Sequence, residues 1–288
     1  MNETFSKILR NQEENHMLPF FWQHGEDEAT LRKYVHVIHD ANIGAFCVES
    51  RPHPDFCGPK WWADMDAILD EAKKLGMQVW ILDDAHFPTG FANGALAGAL
   101  ADAAEKGLTA EENPDIALLR QSLVIRYLDV PAEGITIDVA DCRKAAPFEP
   151  SELEGRMLRF RTFPEAQDDA LVAVVALPSM TDLTGTADAD GRIFYKPEAS
   201  AREGAKIAIV NITRNRGPHR DYMNMMIGAS VRKLLDAVYE PHFAHYGNEF
   251  GKTIAGFFSD EPEIGNGHMY QFGLRIGELD DQAWSCEV

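Results

Sequence analysis

Three short apolar segments alternate with two amphipathic segments in the first third of the chain, and this alternation limits the possible folds more than any other feature. The apolar segments are residues 19–22 (PFFW), 43–48 (IGAFCV) and 78–82 (QVWIL). Between them, residues 27–40 and 61–75 place apolar side chains three and four positions apart, as in an amphipathic helix. Strands that are apolar throughout, rather than alternating, are typical of a parallel sheet covered by helices. The pattern predicts an α/β fold.

The middle of the chain follows a different pattern, in which strand-like runs succeed one another without helices between them. These runs are residues 122–130, 134–139, 156–163, 170–177, 192–196 and 205–214. Gly, Pro, Asp and Glu separate them, as turn residues separate antiparallel strands. We predict a β-rich domain, a sandwich or an open barrel, inserted after the third parallel strand.

The α/β pattern resumes after this module. Residues 222–246 are predicted to be helical, with a fresh turn at Pro241, and residues 254–258 (IAGFF) form the predicted fourth parallel strand. The tail shows no further strand, and its ending DDQAWSCEV is interpreted as the entry to a helix. The predicted division is therefore 1–115 for the first part of the α/β unit, 116–216 for the β-rich domain and 217–288 for the continuation.

Four parallel strands with crossover helices fit either half of a (β/α)8 (TIM-like) barrel or an open doubly wound sheet. An open sheet usually carries a glycine-rich phosphate turn after its first strand. Here that turn is QHGED, which is acidic and lacks the G-x-G-x-x-G spacing. We therefore favour the partial barrel, with about four βα units.

Composition limits the partners and the compartment. The formal net charge is −19, which argues against nucleic acid, because phosphate contacts require clustered Lys and Arg. No apolar run approaches the length of a membrane span, and the N-terminal residues lack a signal-peptide core, so we expect a cytoplasmic protein that does not bind membranes. The four cysteines, Cys47, Cys57, Cys142 and Cys286, form no C-x-x-C pair and are expected to be reduced thiols.

Polar side chains cluster directly after each parallel strand, where functional groups collect in parallel α/β proteins. They are His24, Glu26, Glu49, Arg51, His53, Asp83, Asp84, His86, Asp260 and Glu261. A carboxylate just past a buried strand is expected to be partly desolvated, which raises its pKa and favours a protonated fraction near neutral pH. We therefore predict Glu261 as a general acid, with Asp260 turned toward the same pocket at Pro262. The structural alternative is that Asp260 caps the following turn and Glu261 is solvated.

The loop after the second strand, ESRPHP, presents Glu49, Arg51 and His53 between two prolines that stiffen the backbone. Arg51 is expected to hold Glu49 ionised through a charge-assisted hydrogen bond, and such a set can bind sugar hydroxyls. The structural alternative is a Glu–Arg pair that supports the rim of the barrel, with His53 simply exposed.

The loop after the third strand, DDAHFPTG, begins with the paired carboxylates Asp83 and Asp84 and continues to His86. Paired carboxylates can bind two adjacent hydroxyls or a divalent cation. The structural alternative is that they cap the next helix and hydrogen-bond within the barrel. At the first strand, Phe20, Phe21 and Trp22 adjoin His24, and aromatic rings beside a polar cleft either stack on sugar rings or belong to the core.

A metal-dependent hydrolase is an alternative to these interpretations. Residues that a pocket could bring together are His24, Glu49, His53, Asp83, Asp84, His86 and Glu261. The H-x-H after the first strand that metal-dependent barrel hydrolases often carry is absent, and so is H-E-x-x-H. The pairs His36/His39 and His242/His245 lie on amphipathic helices and are interpreted as surface or core residues. We predict no metal and no cofactor.

Three segments together resemble the N-terminal part of large bacterial (β/α)8-barrel glycoside hydrolases akin to α-L-rhamnosidases and to β-galactosidases and β-glucuronidases. They are residues 20–56, which contain VESRPHP, residues 61–94, which contain LDDAHFPTG, and residues 254–263 (IAGFFSDEPE). The resemblance implies a hydrolase of carbohydrates with an acid/base carboxylate after the fourth strand, and Glu261 matches that place. The better-studied relatives have Asn-Glu-Pro there, with the Asn on the sugar 2-hydroxyl. Asp260 replaces that Asn, so neither the sugar nor a retaining mechanism carries over.

The sequence thus leads to a glycosidase in which Glu261 and Asp260 are catalytic. The predicted substrate-binding residues are His24, Glu49, Arg51, His53, Asp83, Asp84 and His86. Relatives continue through four more strands, so the expectations are a fragment, a truncated gene, or a homo-oligomer in which a second copy closes the barrel. The alternatives are a carbohydrate-binding or scaffolding remnant without catalysis, and a metal-dependent barrel hydrolase.

Overall fold

The computed structural model describes residues 5–7, 17–109, 112–145, 164–217, 219–263 and 281–285. Contacts divide the chain into two compact units. The first unit comprises residues 1–95 and 231–262, and the second comprises residues 96–230 and 263–288. The predicted run at 156–163 and the thiol of Cys286 lie outside the described residues.

The first unit is built on a four-stranded parallel sheet in the order β1-β2-β3-β10. Its strands are β1 (Phe20–Gln23), β2 (Ala45–Ser50), β3 (Gln78–Leu82) and β10 (Ile254–Phe258). Helix α1 (Glu28–Asp40) connects the first two strands, and α2 (Pro59–Leu75) connects the next two. The prediction of parallel strands alternating with helices is confirmed, and every predicted strand of this sheet is present.

The two helices begin and end where local chemistry dictates. Asp27 caps α1, because its carboxylate accepts a hydrogen bond from the Thr30 N–H. Helix α2 begins with Pro59, which has no N–H to leave unpaired. It ends at Gly76, whose left-handed φ of 70° suits a residue without a Cβ.

One face of this sheet forms the main core together with the helices. The sheet contributes Phe21, Phe46, Val48, Val79 and Ile81, and the helices contribute Leu31, Val35, Trp61, Met65 and Ile68. Burying one such side chain stabilises a fold by roughly 1.5–3 kcal/mol, so this face holds the unit together. The adjacent strand positions point to the opposite face, because side chains alternate along a strand.

The helical region before β10 runs through three consecutive segments. They are α6 (Gly228–Leu234), a π-helical turn (Leu235–Tyr239) and α7 (Glu240–Tyr246). The helix starts six residues later than predicted, and Pro241 lies in the first turn of α7, where the prediction placed a fresh turn. The π-helical turn is an addition that hydrophobic spacing did not reveal.

The second unit contains a five-stranded antiparallel sheet in the order β11-β4-β9-β6-β7 and a two-stranded pair β5-β8. The strands are β4 (Gln121–Asp129), β5 (Ile135–Asp138), β6 (Ala170–Leu177), β7 (Thr181–Asp182), β8 (Arg192–Tyr195), β9 (Lys206–Thr213) and β11 (Asp281–Trp284). Short helices α3 (Ala99–Lys106), α4 (Pro114–Ala117) and α5 (Val139–Cys142) accompany them. The antiparallel character predicted for the middle of the chain is confirmed.

One prediction for the tail is wrong. Residues 281–284 do not enter a helix; they pair antiparallel with β4, Trp284 opposite Gln121. The segment has neither apolar alternation nor helical spacing, so its conformation follows from main-chain pairing with an open strand edge.

Candidate functional site

The face of the parallel sheet opposite the helices carries both aromatic and charged side chains. The strand register places Trp22 opposite Glu49, and Phe20 opposite Cys47. Phe20 and Trp22 are about half exposed, whereas Glu49 is 1% exposed. The sheet therefore presents an aromatic edge beside a buried carboxylate.

This face is concave. Strands β1 and β10 lie at opposite edges, so a flat sheet would hold them about 14 Å apart, at about 4.8 Å for each strand spacing. Nevertheless the rings of Phe20 and Phe258 meet edge to face with centroids 5.4 Å apart. The sheet must curve toward this side, which brings the ends of its strands together.

Glu49 and Arg51 form an ion pair at the end of β2. Arg51 Nε lies 2.6 Å from Glu49 Oε1. The geometry of this contact does not meet the criteria for a hydrogen bond. Both Glu49 oxygens and Arg51 Nε are therefore buried without a well-formed hydrogen bond. The predicted pair is therefore present, but its atoms keep unused hydrogen-bonding capacity.

The pKa of Glu49 is raised, contrary to the expectation that Arg51 holds it ionised. Burial is the largest cause, and the charge of Asp260 acts in the same direction. The Arg51 charge and the N–H groups of Trp22 and Arg51 lower the pKa without reversing the effect. Desolvation outweighs the single guanidinium because a carboxylate loses much of its hydration when buried.

The Arg51 guanidinium also lies between two aromatic rings. Its Cζ is 4.9 Å from the centre of the Trp22 ring and 5.5 Å from that of Phe87. Such cation–π contacts fix the plane of a guanidinium at a partly exposed position. Phe87 was not among the predicted site residues, because nothing in its spacing distinguishes it from a loop aromatic.

Asp83 is the centre of a buried hydrogen-bond network that links the ends of β3 and β10. Thr89 Oγ1 donates to Oδ1 at 2.5 Å, and the Tyr239 hydroxyl donates to Oδ2 at 2.6 Å. Thr89 in turn accepts from the Asp260 N–H at 2.9 Å and donates its own N–H to the Asp260 carbonyl at 3.0 Å. Burial raises the pKa of Asp83, although hydrogen bonds from Thr89, Tyr239 and Ser259 lower it. The network holds the backbone of Asp260 in place.

Tyr239 reaches Asp83 from the π-helical turn. A π-turn adds a residue to the helix and redirects the side chains that follow it, and such turns are frequent at functional sites. The Tyr239 ring also packs against Phe257 with centroids 4.1 Å apart. No signal in the sequence could have identified this residue, since its partner lies 156 positions away.

Asp84 organises the loop after β3. Its Oδ1 accepts from the N–H groups of Ala85 and Asn93, and its Oδ2 accepts from those of Gly90 and Ala92, all within 2.9 Å. The side chain is fully buried. With four backbone donors on two oxygens, its capping role accounts for its hydrogen bonds, as in the structural alternative.

Glu261 is exposed, so the partial burial predicted for it is wrong. Its φ of 41° is in the left-handed region, which costs a residue with a Cβ roughly 1–2 kcal/mol. The strand ends at Phe258, as predicted, so Glu261 lies three residues beyond it and outside the buried part of the sheet. Asp260, by contrast, is partly buried and close enough to Glu49 and Cys47 to raise the pKa of each.

The predicted histidines have different surroundings. His53 is buried, with Nε2 3.0 Å from Asp64 Oδ2 and with Nδ1 accepting the Asp55 N–H. This pattern fixes the Nε2–H tautomer and makes His53 a structural residue rather than an exposed one. His24 pairs with Glu26 at 3.0 Å, and His86 is exposed with Nδ1 2.9 Å from the Phe87 carbonyl.

The thiols of the described part are reduced, as expected. Cys47, Cys57 and Cys142 are free, and burial raises the pKa of Cys47 and Cys57 to about 12. Within the ranges that the structure describes, no three His, Cys, Asp or Glu side chains come together as a potential metal site. In the same ranges, no helix is both long and apolar enough to cross a membrane.

The comparisons with known proteins give one weak similarity. No protein family model and no curated protein sequence matches the chain. In structure the chain is similar to the rhamnosidase from Novosphingobium sp. PP1Y, with a TM-score of 0.30 and 14% sequence identity over 66% of this chain. The matched part spans 18% of that enzyme. A similarity of this strength establishes neither a family nor an activity.

Proposed function

We propose that the protein is a glycoside hydrolase that cleaves an O-glycosidic bond by carboxylate acid/base catalysis. The observation that carries the proposal is the convergence of Glu49, Asp83 and Asp260 at the ends of neighbouring parallel strands. All three charges act on the Cys47 thiol, so they share one end of the concave face. Glycoside hydrolysis requires carboxyl groups in distinct environments around an oxocarbenium-like transition state, one of them protonated.

In this proposal Glu261 and Asp260 stand nearest the reacting bond. Thr89 holds the backbone of Asp260 through both its N–H and its carbonyl, whereas Glu261 is exposed and has a left-handed backbone. A fixed backbone limits the positions that the Asp260 carboxylate can take, which suits charge stabilisation. An exposed carboxylate is open to a bound sugar, as a general acid must be.

The remaining polar residues bind and orient the sugar. Arg51 and Glu49 offer donors and acceptors side by side, and His24 and His86 lie at the exposed ends of β1 and β3. Asp83, Asp84 and His53 support these residues from beneath and do not contact the sugar, because their hydrogen bonds go to protein atoms. We further propose that the curved four-stranded sheet is part of a (β/α)8 barrel, into which residues 116–216 are inserted.

The test is turnover of a panel of chromogenic glycosides by the wild type and by Glu261→Gln. The amide keeps the shape of the side chain but cannot donate a proton as an acid, so we expect at least a hundredfold loss of kcat. Glu240→Gln is the matched control, since Glu240 is an exposed carboxylate paired with Arg232 on the helix. Equal turnover by wild type and Glu261→Gln would remove Glu261 from the acid role.

The exposure of Glu261 also favours a second candidate, a carbohydrate-binding protein without catalysis. That function needs the aromatic and polar face but no acid. For a binding protein of this kind we expect saturable binding of a sugar and no turnover of any glycoside. The Glu261→Gln variant should bind that sugar with unchanged affinity.

A further inference from the structure

We infer that Trp22, Arg51 and Phe87 form the ring-stacking wall of a subsite for a neutral sugar, whose hydrogen-bonding floor is Glu49. This inference rests on the proposed function and adds Trp22 and Phe87 to its binding residues. It also names the substrate class, a sugar with neighbouring hydroxyls and no charged group.

Trp22 offers an exposed aromatic surface. Trp22 is 51% exposed although it lies in a strand of the core sheet. Its neighbour Phe21 points to the helices and is buried. An indole that is half exposed beside the charged side chains of Glu49 and Arg51 is a surface on which the apolar C–H face of a sugar ring can stack. The contact with Arg51 holds that indole in one orientation.

Glu49 and Arg51 have hydrogen-bonding capacity that the protein does not fill. Side-chain N–H groups of Trp22 and Arg51 approach the buried Glu49 carboxylate, with Arg51 Nε at 2.6 Å from Oε1, but neither Glu49 oxygen has an aligned hydrogen bond. The Arg51 side chain is 33% exposed, so a ligand can reach its guanidinium. Buried polar atoms that lack partners are costly, so the pair favours a ligand that satisfies both.

Neighbouring hydroxyls are the ligand that suits both groups. A hydroxyl donates one hydrogen bond and accepts others, so two neighbouring hydroxyls can give to Glu49 and receive from Arg51. A carboxylate or phosphate would satisfy Arg51 only, and it would meet the negative charges of Glu49 and Asp260. The charge balance therefore selects a neutral sugar over a hexuronate or a sugar phosphate.

Calorimetric titration with neutral methyl hexosides, methyl 6-deoxyhexosides and hexuronates tests the inference. We expect a neutral sugar to bind to the wild type, and Trp22→Ala to weaken it roughly tenfold, a loss typical of one stacking contact. Trp22→Phe keeps a ring and should fall between the two. Trp62→Phe is the matched control, because Trp62 packs against the core on the helix side of the sheet and stacks on His245, and the variant should bind as the wild type does.

Fluorescence places the bound sugar. Saturating sugar should protect one exposed indole from acrylamide quenching in the wild type and in Trp62→Phe, but not in Trp22→Phe. Equal affinity of wild type and Trp22→Ala would overturn the stacking wall and leave the proposed function standing. Tighter binding of hexuronates than of neutral sugars would overturn the hydroxyl assignment. If the wild type binds no sugar of the panel, both the inference and the proposed function fail.

Discussion

The buried imidazole of His242 predicts how the stability of the protein changes in mild acid. His242 is fully buried, its Nε2 accepts the Trp61 indole N–H at 2.9 Å, and its Nδ1–H donates to the Val238 carbonyl at 2.7 Å. Both ring nitrogens are thus engaged in the neutral form. Burial lowers the pKa of His242 from its ordinary 6.5 to about 4, and neighbouring His245 adds to the effect.

The sign and size follow from proton linkage. Between pH 6.5 and 4 the unfolded chain binds a proton at His242 that the folded chain does not, so the free energy of unfolding falls as the pH falls. At about 1.36 kcal/mol for each pKa unit, the full effect is about 3.4 kcal/mol. Between pH 7 and pH 5 the same two pKa values give a loss of about 2 kcal/mol.

The perturbation is His242→Gln, whose amide can still accept from Trp61 but does not titrate. The variant should be less stable than the wild type at pH 7, because one of the two hydrogen bonds is lost. Its stability should decline less on acidification, by about 2 kcal/mol between pH 7 and pH 5. The buried carboxylates titrate in both proteins, so their contribution cancels in the comparison.

Urea unfolding followed by circular dichroism at pH 7, 6 and 5 measures these free energies. His39→Gln is the control, because His39 lies exposed on α1 beside Asp40. The free energy of unfolding of this variant should change with pH as that of the wild type does. The reasoning is refuted if His242→Gln and the wild type lose the same stability between pH 7 and pH 5.

Four further changes probe the loops at the strand ends, each measured by urea unfolding at pH 7. Thr89→Val should destabilise by about 2–4 kcal/mol, since it removes the hydroxyl between Asp83 and Asp260, while Thr89→Ser should retain most of the stability. Asp84→Asn should cost more than about 2 kcal/mol, because an amide NH2 would face two backbone N–H donors. Asp83→Asn should lower the free energy of unfolding by less than Asp84→Asn does, because the Thr89 and Tyr239 hydroxyls can rotate to accept hydrogen bonds from the new amide. A larger loss for Asp83→Asn than for Asp84→Asn would contradict this explanation. Glu261→Gly should stabilise by up to about 1 kcal/mol by relieving the left-handed backbone, and a loss of stability would show that no strain is stored there.

Hydrophobic periodicity was sufficient to predict the parallel sheet. The segment PFFW and the later IAGFF are apolar because β1 and β10 pack against helices on one face, and their positions follow from that pattern alone. The edge strands β7 and β11 could not be predicted in this way. Both side chains of β7 are exposed, and each of these two strands forms by main-chain pairing with a neighbouring strand.

The strand ends that carry the candidate site could be predicted from the sequence, but the burial of its residues could not. The ends of parallel strands are marked in the sequence by polar residues after apolar runs, which identified Glu49, Asp83 and Asp260. Their burial depends on what the loops and the helix bring over them, including Thr89 and Tyr239 from elsewhere in the chain. The sequence therefore indicated Glu261 as the desolvated carboxylate, whereas the structure buries Glu49 and Asp83 instead.

The burial of Glu49 and Asp83 and the exposure of Glu261 determine which carboxyl group holds a proton before a sugar binds. Raised pKa values at Glu49 and Asp83 make these two the groups that retain protons to higher pH, while Glu261 faces water. Asp83 donates poorly to a ligand, because Thr89 and Tyr239 already occupy its oxygens. Glu49 has open acceptor positions and a neighbour, Arg51, that stabilises the anion once the proton leaves. A Glu49→Gln variant therefore separates two explanations of any acidic limb in a pH–rate profile: the limb disappears if Glu49 is the group that titrates, and it persists if another carboxyl group titrates there.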